Sequence, residues 1–375
     1  MNRFQRRPIA TSDRLCGVLV HLGAAWLMAV GAPADETSAT PSQTAESSPI
    51  DALDQAALQE TFRLLRTNYI EREALTLEEL NRAALDGLLA RLDFGAELVP
   101  ITAKNPQNTA ATPTPSDDAA AIAEPLESGV AYLRPTQFSL ESLPLIDAAL
   151  SALGQSADTT LILDLRTPGP PAEFAVAAQI LDRFVPDGQP LFTVRKTDDP
   201  TPREFRSSGI SKWPGKVIAL IDDDCPNAAE TIAAVLRQAL QAPLIGSATR
   251  GRTMQYETAP ISATHALRFA SAEMRLPDDT SLFRKGLAPD LEIPAASDVK
   301  SAVFARQSKE GAKLFITNPE RPRHNEAALV AKTAPELAFQ IAKSAGVETQ
   351  YDAPPPQDRP LQAALDVLTA RRALK

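Results

Sequence analysis

Residues 217–236 constrain this chain more than any other stretch. Val217-Ile218-Ala219-Leu220-Ile221 is an unbroken apolar run, and a run without polar alternation fits a strand covered on both faces. The polar corner Asp222-Asp223-Asp224-Cys225-Pro226 follows, and then Ile232, Val235, Leu236 and Leu240 recur at helical spacing. A buried strand, a turn and a helix are expected. In such sheets the corner aims side chains and backbone N–H groups into a cleft at the carboxyl edge of the strands. If the chain has a nucleophile it is expected there, and none of the usual type is present.

Around this stretch the chain alternates. Residues 130–133, 160–165, 191–194, 217–221 and 243–245 read as strands, with helices over 140–153, 173–184 and 227–242 between them. That alternation implies an α/β domain with a mostly parallel sheet covered by helices. A further strand is expected over 266–276. The main domain is therefore placed at 128–295, and an apolar fraction of 44% suffices for its core. Ahead of it, Leu53, Leu58, Phe62 and Leu65, then Leu75, Leu80, Leu85, Leu88 and Leu89, fit an N-terminal helical hairpin within 50–99. Residues 100–127 hold five prolines at 100, 106, 113, 115 and 125 among Thr, Ala and Asp, a composition expected of a linker. Beyond Pro294 the extension 296–375 turns polar and irregular, with a basic patch at Arg321, Arg323 and His324, and closes on a helix over 358–374.

The first 34 residues carry Arg3, Arg6, Arg7 and Arg14, then an apolar run, then Ala32-Pro33-Ala34. This is the layout of a secretory signal peptide. Residues 1–34 are thus expected to be removed and 35–49 to form a flexible leader, which makes the protein exported, either periplasmic or extracellular. An uncleaved membrane anchor is the alternative. Four arginines against one aspartate leave with the signal, which takes the net charge from −9 to −12. So acidic a chain argues against nucleic acid as a partner. Cys225 would be the one remaining cysteine, and neither HExxH nor CxxC occurs, so no cofactor and no metal site is expected.

The order of several motifs resembles the carboxyl-terminal processing, or tail-specific, peptidases of family S41. Gly129-Val130-Ala131-Tyr132-Leu133-Arg134 with Phe138 is similar to the opening "GYIRI..F", and Leu161 to Arg166 to the "LILDLR" strand. Ala228-Ala229-Glu230 is similar to the end of "SASASE", Leu244-Ile245-Gly246 to "LVGE", and Lys285 to Glu292 to "KGIEPDVEV". The resemblance implies a ClpP/crotonase-like α/β core with an N-terminal helical hairpin and a C-terminal helix, and serine-type proteolysis of protein C-termini. It also implies degenerate site positions. The nucleophile falls on Asn227, whose amide cannot form an acyl intermediate. The general base falls on Arg252, or on Gly251 if the deletion after Gly246 is placed earlier. Arginine stays protonated and glycine has no side chain. The oxyanion glycines become Thr167-Pro168-Gly169-Pro170-Pro171, Gln255 stands for the family's glutamine one residue early, and the linker replaces the PDZ domain.

Plainer readings stand beside these. Asn227 with Glu230 forms an N-cap pair of the capping-box type. Cys225 is a thiolate nucleophile or, more plainly, a semi-buried thiol. Asp222, Asp223 and Asp224 form a cation loop or a solvated turn at a helix N-terminus. Arg250 and Arg252 are expected to pair with these aspartates and fill the former cleft. The expected function is that of a pseudo-peptidase, a binding or scaffold module for a polypeptide or envelope protein partner. The alternative is an active serine-type peptidase with relocated groups, and a purely structural envelope partner is a third reading.

Overall fold

The computed structural model describes residues 54–101, 121–154, 156–199, 201–209, 211–316, 334–346 and 355–374. The expected signal peptide, the leader, most of the linker and the basic patch lie outside the described residues. Among those described, no helix is long and apolar enough to cross a membrane. The chain divides into two units, Met1–Leu77 and Glu78–Lys375.

Within the first unit, helix α1 (Gln55–Asn68) is capped by Asp54, which accepts from the Ala57 amide at 2.7 Å. It buries none of its own residues. Helix α2 (Leu77–Leu92), the second helix expected in this region, belongs to the second unit but for its first residue, and it leads into strand β1 (Ala96–Pro100).

The second unit holds two sheets. Strands β2 (Ala121–Glu127), β3 (Val130–Pro135), β4 (Thr160–Asp164), β7 (Lys216–Ile221), β8 (Leu244–Gly246) and β11 (Leu291–Glu292) form the larger one, in the order β11-β8-β7-β4-β3-β2. All its pairings are parallel except the edge strand β2. The linker expected over 100–127 thus ends in a strand. Ile122 and Leu126 give that strand something to bury, which its prolines and acidic residues obscured. Helices α3 (Leu143–Ala152), α4 (Phe174–Leu181) and α5 (Asn227–Leu240) lie between the parallel strands in the chain.

Each strand splits its residues between two cores, as a period of two demands. Val217, Ala219 and Ile221 join the cluster that includes α3, α4 and α5, while Ile218 and Leu220 join the cluster on the other face. That second cluster is completed by Leu361, Ala364, Leu365 and Leu368, a helical stripe on α8 (Arg359–Ala373). The final helix of the extension, expected from the sequence, is therefore part of the core. The extension also contains α6 (Ser297–Glu310) and α7 (Pro335–Ser344).

Strands β1, β5 (Pro190–Lys196), β6 (Arg203–Arg206), β9 (Met254–Pro260) and β10 (His265–Arg275) make the second, antiparallel sheet. Residues 191–194 were expected in the parallel sheet. They pair instead with β6 and with β10, a partner far along the chain that local pattern does not reveal. The strand expected over 266–276 is β10.

Candidate functional site: the corner between β7 and α5

Strand β7 ends at Ile221 and α5 begins at Asn227, with Pro226 as its N-cap residue in an extended conformation. Proline has no side-chain acceptor, so the expected capping box does not form. Asn227 is 2% exposed. Its Oδ1 accepts from the backbone amides of Ala172 and Ala228, both at 2.8 Å, and its Nδ2 donates to the carbonyls of Ala172 at 2.7 Å and Met254 at 3.5 Å. The amide thus ties three segments together: the proline-rich strap 168–172, the start of α5 and the start of β9. A buried amide with both ends engaged is held in one orientation.

Gly169, in that strap, is exposed, with open space around its Cα. Pro168, Pro170 and Pro171 flank it, so the strap has few backbone donors to offer an oxyanion. Thr167 is turned away, its hydroxyl donating to the Pro135 carbonyl at 2.6 Å.

Glu230, one turn into α5, is fully buried, and its Oε1 accepts from the Gly251 amide at 2.8 Å. Its Oε2 has no hydrogen-bond partner. Burial pushes this carboxyl above the ordinary 4.5, against the Gly251 hydrogen bond and the nearby Arg252 charge. The Gly251 backbone is left-handed at φ +77°, and a Cβ there would lie 2.3 Å from the Leu282 carbonyl oxygen. No side chain fits at 251, so of the two positions that resemble the family's base only Arg252 carries a side chain here. That residue is half-buried and Arg250 is exposed. Gln255 is exposed on β9 and lines a cavity of about 330 Å³ with Phe174, Val194 and Phe205.

The aspartates find a different partner from the arginines expected. The Lys300 ammonium of α6 lies 2.6 Å from carboxylate oxygens of both Asp222 and Asp224. Burial would lower the lysine, but the hydrogen bonds it donates to these carboxylates hold it above its ordinary 10.5. Burial raises Asp222 despite that contact. The corner is therefore not a ring of arginines, and it is solvated only in part: Asp223 is exposed, while Asp222 is buried against Lys300. Lys300 was missed because 78 positions separate it from Asp222, and a lysine on a polar helix carries no local signal.

Cys225 is fully buried, and its Sγ lies 3.2 Å from the Leu165 carbonyl. Burial, reinforced by the Asp222 carboxylate, pushes the thiol well above 9.0, which opposes thiolate chemistry. Among the described residues, no serine or cysteine side chain is hydrogen-bonded to a lysine or histidine side chain.

The end of β4, beside the corner, holds a second polar cluster. Arg166 makes paired hydrogen bonds to Asp164 at 2.6 and 2.8 Å and to Asp358 at 2.8 and 3.0 Å, all three groups being buried. The Tyr132 hydroxyl donates to Asp164 at 2.7 Å and accepts from Gln307 at 3.0 Å. The Arg134 guanidinium stacks 4.0 Å above the Phe304 ring. Lys300, Phe304 and Gln307 share one face of α6, so this helix covers the carboxyl ends of β3, β4 and β7.

Residues 129–293 match the family model for peptidase family S41. The chain is 25% identical over 173 residues to the carboxy-terminal-processing protease of Bartonella bacilliformis, covering 45% of this chain and 39% of that one. It is 23% identical over 204 residues to the carboxyl-terminal-processing protease of a Synechocystis species, covering 54% of this chain and 47% of that one. The match thus spans less than half the length of these relatives. The solved photosystem II D1 C-terminal processing protease is similar at 19% identity with a TM-score of 0.39, over 58% of this chain and 53% of that one.

Proposed function

We propose, from the match of residues 129–293 to the model of peptidase family S41, that the chain is an S41 relative that has lost peptide-bond hydrolysis and acts as an exported binding or scaffold module for a polypeptide partner. One observation carries the reading: the side chain at the nucleophile position is an amide, already committed on both ends to Ala172, Ala228 and Met254. It has no proton to surrender to a base and no lone pair suited to attack a carbonyl. The residue at the base position is a guanidinium, which stays charged at any physiological pH. Loss of a nucleophile alone costs about a million-fold in rate in a well-studied serine protease. Export rests on the charge and apolar layout of residues 1–34.

The test is capture of partners from the envelope of the producing cell by the tagged chain, with the mass of every captured polypeptide compared before and after incubation. Capture of one or a few intact polypeptides supports the reading. Captured polypeptides that lose C-terminal residues on incubation overturn it.

A further inference from the structure

A cavity of about 710 Å³ opens at the amino edge of the larger sheet, opposite the Asn227 corner. Its place follows from its walls, which include Thr160 and Lys216, the first residues of β4 and β7. This volume falls in the range of small-molecule sites. The floor and one wall are apolar, with Phe184, Trp213 and Leu368 all buried.

The walls are preformed. The Trp213 indole donates to the Lys216 carbonyl at 3.3 Å, and the backbone amides of Lys212 and Trp213 both donate to the Arg183 carbonyl. A Cβ on Gly215 would lie 2.0 Å from the Thr159 carbonyl oxygen, so the loop lies hard against its neighbour. Preorganisation of this kind lowers the entropy lost on binding.

Charge sets the ligand class. Lys216, Arg371 and Arg372 face this cavity against one carboxylate, Asp158. Among the described residues, none of these three cations forms an ion pair, although the chain as a whole carries a net charge of −9. The two arginines also offset the C-terminal partial charge of α8, but a last-turn role alone does not gather them with Lys216 around one hollow. Guanidinium groups bind carboxylates in a paired, planar geometry. Both arginines come from α8, outside the part of the chain that the S41 family model covers.

We propose that this cavity is a binding site for a small organic carboxylate with an apolar body, whose carboxylate is held by Arg371 and Arg372 and whose body lies against Trp213 and Leu368. Such a ligand is offered equally by the carboxyl end of a peptide and by a medium-chain fatty acid. The site lies at the other edge of the sheet from the corner, and its occupancy is read without hydrolysis, so it stands apart from the silence of Asn227.

The chain has two tryptophans, Trp26 and Trp213, so in the full chain carrying Trp26→Phe all indole emission comes from the cavity. Calorimetric and fluorescence titrations would use N-acetyl-leucyl-leucine, its C-terminal amide, and decanoate. Saturable binding of the dipeptide acid or of decanoate is expected, with a change in Trp213 emission, and whichever binds identifies the source. The amide should bind at least tenfold more weakly, as should the acid to Arg371→Gln/Arg372→Gln. Both arginines are exposed, so the melting temperature should hold, and Lys216→Gln offers a second variant with a smaller loss in the same direction. Failure of both acids to bind overturns the proposal, as does equal binding of acid and amide or undiminished binding by a folded double variant.

Discussion

Strands β4 and β7 are hydrogen-bonded neighbours that deliver their last residues to the same edge of the sheet. At the end of β4 the charges are intact and saturated: Arg166 lies between Asp164 and Asp358. At the end of β7 the backbone frame of strand, corner and helix is kept, but the positions that resemble a catalytic pair hold Asn227 and Arg252. The first region shows that buried charge is retained here where partners satisfy it. The second shows how a corner is closed without charge, because the buried Asn227 amide bonded to Ala172 and Met254 ties the strap, the helix start and the next strand together. Helix α6 serves both, giving Gln307 to one and Lys300 to the other.

The largest effect should come from breaking the saturated side. Asp358→Ala leaves the Arg166 guanidinium buried with half its partners gone, and a loss of about 3–5 kcal/mol in denaturant unfolding is expected. A loss under about 1 kcal/mol would mean that α8 is not needed to satisfy this charge.

On the corner side, Lys300→Met strands Asp222, and about 1–3 kcal/mol is expected after discounting for Asp224, which is 39% exposed. Because the folded state holds the Lys300 proton more tightly than the unfolded chain, this contribution is present below pH 10.5 and is lost as pH rises through the higher folded value. The variant should lack that alkaline loss. An unchanged alkaline limb would place the stabilisation elsewhere.

Asn227→Ala should cost about 1–2 kcal/mol and speed hydrogen exchange at the Ala172 amide, whose acceptor is removed. Unchanged exchange there would show that the strap is held without the amide.

The smallest effect concerns Glu230. Its raised carboxyl keeps the proton to higher pH in the folded state than in the unfolded chain, so stability is lost as pH rises from 4.5 through the folded value. Glu230→Gln removes this titration, and its stability relative to the parent should climb across that window. A flat difference would mean that the carboxyl is ionised throughout.

How much of this was legible follows from the range of each signal. The continuous apolar run at 217–221 and the helical spacing after it are local, and β7 and α5 stand where they were expected. Strand β5 was legible as a strand but not as a member of the second sheet, since its partner β10 is distant. Motif order pointed to Asn227 and Arg252 as the positions that resemble the family's nucleophile and base. The contacts made there were not legible, because the partners of Asn227 include Ala172, 55 positions away, and those of Arg166 include Asp358, 192 positions away. Pairings of that separation depend on the closed fold, and Lys300 rather than Arg252 took the aspartates because α6 lies over the strand ends.

The most direct test of the account is incubation of the full chain and its Asn227→Ala variant with an unstructured polypeptide carrying an apolar C-terminus, with product termini read by mass spectrometry. The account predicts that neither shortens the substrate beyond a no-protein control. Turnover by the parent chain that Asn227→Ala abolishes would contradict it.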